Sequence, residues 1–133
     1  MNKVIVIIMF FCFNCLYSQL DTLNYLKQFE ANKANYIGQP FSQLLNDMTE
    51  IQPKTVWSLP IGTKKTISTD SRFKFTLKEY SFYKPITLLI VWAPEIPRDQ
   101  TEYYEKKNKF YFTNDEKNFY GSKIIKDIIV YRY

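Results

Sequence analysis

Histidine is absent from the chain, which removes the commonest general base near neutral pH and the commonest zinc ligand. Cysteine is confined to Cys12 and Cys15, both within or just after an N-terminal apolar run. The residues that follow can therefore carry no thiol catalysis, no thiolate metal site and no disulfide. Glycine occurs only at positions 38, 62 and 121, too far apart to build a glycine-rich phosphate cradle. Internal repeats and low-complexity tracts are lacking as well. No resident metal or cofactor is expected from this composition.

The first segment is built as a bacterial-type export signal. Lys3 supplies a positive start, and Val4 to Phe13 form an apolar stretch. Asn14 to Ser18 make a short polar exit, with a cut expected before Gln19. Ten apolar residues rise only about 15 Å as a helix, roughly half the thickness of a bilayer core, so a permanent span is not expected. Residues 1–18 thus read as a cleaved leader, and the product as periplasmic or extracellular. The alternative is a lipid anchor on Cys15, although Asn14 and Phe11 suit a lipobox poorly before Cys15 and Cys12. Membrane contact is expected only during export, or through such an anchor.

Residues 19–133 read as one compact domain. A chain of about 115 residues buries around two-thirds of its unfolded surface, and aliphatic and aromatic residues are plentiful enough to fill a core. Loss of Lys3 with the leader takes the formal net charge from +5 to +4. That mild excess favours solubility and weak attraction to anionic surfaces. A nucleic-acid partner would need a stronger, focused patch and a cytoplasmic address, and is not expected.

Periodicity predicts the elements. Leu23, Leu26 and Phe29 recur at helical spacing over 21–34, with Asp21 or Thr22 as the cap. Pro40 is expected at the first position of a second helix, whose Phe41, Leu44, Leu45 and Met48 fall at i, i+3, i+4 and i+7. Beyond Lys54 the period changes to two. Val56 and Trp57 open a β-rich stretch, and 72–78 alternates Phe73, Phe75 and Leu77 against Arg72, Lys74, Thr76 and Lys78. Residues 86–92 and 124–131 are apolar on both faces and read as internal strands. Residues 98–112 suit either a hairpin excursion or a surface helix running into a short strand at 109–112. Thr113 and Glu116 have capping-box spacing ahead of a brief helix ended by Gly121.

The expected fold is α+β, with two N-terminal helices packed on one face of a mainly antiparallel sheet of about four to five strands. The phrase Tyr36 to Leu45 (YIGQPFSQLL) resembles the helix openings of small envelope modules of the BamE and β-lactamase-inhibitor-protein type. The resemblance covers about a tenth of the exported chain and bears on fold alone.

Motifs for chemistry fare poorly. Ser71-Arg72-Phe73-Lys74 and Ser81-Phe82-Tyr83-Lys84 match Ser-x-x-Lys. The first lies in a strand, where that spacing puts the two side chains on opposite faces, and Pro85 biases Lys84 away from helix. Asp99, Glu102 and Glu105 would share a helix face and read as a solvated charged face. The candidate binding residues are Arg72, Lys74 and Lys78, a basic strand face suited to carboxylate or phosphate groups of an envelope protein or anionic glycan. Edge protection of an exposed strand is the competing explanation. A second candidate is Tyr103 to Phe112 (YYEKKNKFYF), suited to stacking or to ordinary core packing.

The function expected is a non-enzymatic binding module of unstated oligomeric state. The alternatives are a glycan hydrolase, using two of Asp70, Glu79, Glu95, Asp99, Glu102 and Asp127 some 5 to 10 Å apart, roughly the glycosidase carboxylate range, or a carrier with an apolar pocket.

Overall fold

A computed structural model describes residues 21–60, 62–63 and 65–132. The leader and both cysteines lie outside them. Helix α1 (Thr22–Ala31) starts at Asp21, whose carboxylate accepts the Asn24 backbone N–H at 3.3 Å. It buries Leu26 and lays Leu23, Tyr25 and Phe29 against the core. It stops short of the expected end at 34. The Asn32 side chain competes for the Gln28 carbonyl, and a 3₁₀ turn, Lys33–Asn35, follows.

Gly38, at φ +82°, turns the chain into α2 (Phe41–Asp47). Pro40 is the cap rather than the first helical residue. Phe41, Leu44, Leu45 and Met48 are all buried, as their spacing predicts. The Gln52 amide closes the helix by donating to the Leu45 and Met48 carbonyls at 2.9 and 2.6 Å.

Strands β1 (Thr55–Trp57), β2 (Ile67–Lys74), β3 (Thr87–Pro97) and β4 (Ile125–Tyr131) form one antiparallel sheet in the order β1-β2-β3-β4. The register sets Val56, Phe73, Leu88 and Val130 in one row, with Ser71, Ile90 and Ile128 in the next. All seven are buried. Against them, Phe41, Phe73, Trp92 and Tyr120 form an aromatic cluster, with Phe41 4.7 Å from Phe73 and Trp92 stacked 5.7 Å from Tyr120.

Three expectations about strands need correction. β2 ends at Lys74, so Leu77 and Lys78 lie beyond it, and Lys78 opens a 3₁₀ turn, Lys78–Tyr80. β2 is also an internal strand, so its charges do not guard an edge. The 124–131 strand, in contrast, is an edge. Ile125, Ile128 and Val130 are buried while Lys126 and Ile129 are exposed, and its outer edge is partly covered: Gly38 N–H donates to the Ile125 carbonyl, Phe41 N–H to Lys123, and the Glu30 carboxylate accepts the Val130 N–H.

The segment 98–112 follows the second of its two readings, a helix running into a short extended stretch, and not the hairpin excursion. Helix α3 (Arg98–Asn108) ends at Lys109, which is left-handed at φ +53°. The chain then pairs along β1, with Val56 N–H donating to the Phe110 carbonyl and Phe112 N–H to Lys54. Helix α4 (Asn114–Gly121) opens with the predicted Thr113/Glu116 capping box. The fold is thus α+β, with four α-helices and a four-stranded antiparallel sheet among the described residues.

Candidate binding surface

The polar face of β2 carries Asp70, Arg72 and Lys74. Arg72 Nη2 lies 3.6 Å from Asp70 Oδ1, so its charge is already met. Lys74 donates to the Ser81 carbonyl at 2.9 Å, with its ammonium 5.2 Å from the Trp57 ring and 5.5 Å from that of Phe82. Burial, and then the neighbouring Arg72 charge, hold its pKa below the ordinary lysine value. Lys78, although off the strand, returns to the same place. Its ammonium is 5.7 Å from the rings of Phe110 and Tyr111.

What joins these lysines is an aromatic stack. Trp57, on β1, lies 4.1 Å from Phe110 at 17°, and Phe82 meets Trp57 edge-on at 5.6 Å. The two sequence candidates, the basic strand and the aromatic stretch, therefore converge because Phe110 and Tyr111 run along β1 beside β2. Only part of each arrives. Phe112 instead packs on Phe73 at 5.7 Å, in the core. Tyr103 and Tyr104 line a separate groove of about 380 Å³ with Phe119, Asp99 and Gln100.

The loop from β2 to β3 holds the second Ser-x-x-Lys match together with Leu77, Lys78 and Glu79. It carries Leu77, Tyr80, Phe82 and Tyr83, which are 53, 57, 78 and 76 % exposed. The signal in the sequence was three aromatic rings between Lys78 and Lys84 just before Pro85. Four large apolar side chains are thus more than half exposed within one eight-residue loop.

Three of the candidate acids are ion-paired. Asp70 pairs with Arg72, Glu102 with Lys106 at 3.0 Å, and Asp127 with Lys33 at 2.9 Å. No cluster of three or more acidic, histidine or cysteine residues suits a metal among the described residues. Glu105 overturns the expectation of a solvated face. It is buried, accepting the Ser58 N–H at 2.9 Å and the Arg98 guanidinium at 2.8 Å. From Ser58 a buried hydroxyl network runs to Ser71 at 2.5 Å and Tyr120 at 2.7 Å, with the Trp92 indole donating to Ser71. Ser71 of the first Ser-x-x-Lys match is buried within this network.

No family model, curated protein or solved structure matches this chain.

Proposed function

We propose that this is an exported protein that acts at the cell envelope by binding and not by catalysis. Its contact surface is the end of the sheet formed by Trp57, Lys74, Lys78, Phe110 and the 77–84 loop. One observation carries the reading: four large apolar side chains stand more than half exposed on one loop, among lysines. An envelope protein or anionic glycan would offer the matching chemistry, apolar area beside negative charge. The two N-terminal helices, as a layer on one sheet face, would leave the polar face of β2 free for that partner. Export itself rests on residues 1–18, whose pattern has a charged start, ten apolar residues and a small residue before the cut.

Mass spectrometry of the natural product and fractionation of its cells test the proposal. The expected product begins at Gln19 and travels with the envelope, and Phe82→Ser/Tyr83→Ser releases it into the soluble fraction. An unprocessed cytosolic chain starting at Met1 would overturn export. Envelope retention of the double variant would overturn the choice of surface.

A further inference from the structure

We propose that the 77–84 loop seats the protein on an anionic lipid surface, with Phe82, Tyr83, Tyr80 and Leu77 entering the headgroup region and Lys78 and Lys84 meeting lipid phosphates. This rests on the preceding reading of the loop as the contact surface and names its partner.

The side-chain set favours a bilayer over the other partners. The rings of Trp57 and Phe110 are stacked on each other, and Trp57 is buried, so they offer no open platform for a sugar or base. The exposed rings belong to the loop instead. Tyr80 and Tyr83 lie 6.4 Å apart and splay at 55°. Protein interfaces deplete lysine at their centres, whereas tyrosine beside lysine is the pairing that membrane–water boundaries select. A phenol ring sits at headgroup depth, and a lysine stem lies along apolar surface while its ammonium reaches a phosphate.

Charge points the same way. Lys78 and Lys84 flank the exposed rings, and Glu79 is the only acid between Ser71 and Ile86. Arg132 shares with Tyr83 and Lys84 a cavity of about 150 Å³ at the foot of the loop. The attachment would be peripheral, since no helix among the described residues is long and apolar enough to cross a membrane.

The test uses the natural protein, its N-terminus read by mass spectrometry, with vesicles of equal parts phosphatidylglycerol and phosphatidylcholine against phosphatidylcholine alone. Co-sedimentation is expected with the first and to be weaker by about tenfold or more with the second. Trp57 fluorescence should shift on binding, because Phe82 touches its ring. Phe82→Ser/Tyr83→Ser should cost about tenfold or more in vesicle affinity. Lys78→Glu/Lys84→Glu should erase the preference for anionic lipid. All four sites are surface positions, and unchanged thermal melting confirms that each variant is folded. Equal binding of the wild type to both vesicles, or undiminished binding by the aromatic variant, overturns the lipid partner. If vesicles are not bound at all yet the aromatic variant still leaves the envelope fraction, the lipid proposal fails while the contact surface stands. If neither happens, both fail.

Discussion

Glu105 shows how far one side chain's role can depart from its neighbourhood in sequence. It sits among Glu102, Lys106 and Lys107 on a charged helix, yet it is buried and holds together β1, α3 and the Arg98 side chain. Removing the carboxylate would strand a largely buried guanidinium and an unsatisfied backbone N–H, and a broken buried pair costs about 3 kcal/mol or more. Glu105→Ala should therefore lower the unfolding free energy by at least that amount, read as a lower urea midpoint with the m-value unchanged. A loss below about 1 kcal/mol would mean that Arg98 and Ser58 find water instead. Lys74 makes the opposite case. Its alternation with Phe73 and Phe75 was legible, but its burial under the Trp57 and Phe82 rings was not, since those rings come from distant segments.

Among the elements, local chemistry predicted most of the beginnings and fewer of the ends. The Asp21 cap, the α2 apolar face and the Thr113/Glu116 capping box were all readable, because each involves residues within one or two helical turns. The end of α3 was not. Lys109 and Phe110 adopt left-handed backbone at φ +53° and +69°, conformations that neither residue prefers. They are held there because Phe110 must turn onto β1 and stack on Trp57. Lys109→Gly should relieve that strain and raise stability by about 0.5–1 kcal/mol, seen as a melting temperature a few degrees higher. A lower melting temperature would show that the lysine stem contributes packing that outweighs its backbone. The placement of β4 was equally out of reach. Ile129 is apolar yet exposed, so the apolar run does not by itself tell which strand lies at the edge.

For the molecule taken together, stability should fall at both ends of the pH scale, for opposite reasons. Tyr36 donates to Asp47 at 2.8 Å, and burial, followed by that hydrogen bond, raises its pKa from 10.0 to about 12. Burial likewise pushes the Tyr120 phenol upward. The folded state holds these protons more tightly than the unfolded one. The contribution is full below about pH 10, the ordinary phenol value, and is lost as pH climbs toward 12. In acid the sign reverses. Asp127 is held below the usual carboxylate range by Lys33, and Asp115 by Lys107 and Asn108. Their contribution is present above about pH 4 and is lost as they are protonated below it. Thermal melts across pH should show both limbs, with Tyr36→Phe flattening the alkaline one. Added salt should weaken the Lys33–Asp127 pair, because both side chains are more than a third exposed.

Composition and period determined the broad character of this chain: no histidine, a core drawn from helices and alternating strands, and a mild net positive charge. Those properties are sums over residues or patterns between near neighbours, so they survive without knowledge of the fold. The candidate surface and the hydroxyl network arise between segments far apart in the chain. Phe110 meets Trp57, Phe82 meets Lys74, and Tyr120 meets Ser58 only once strand order and register are set. Such contacts depend on which strands are adjacent, and adjacency is a product of packing the entire core.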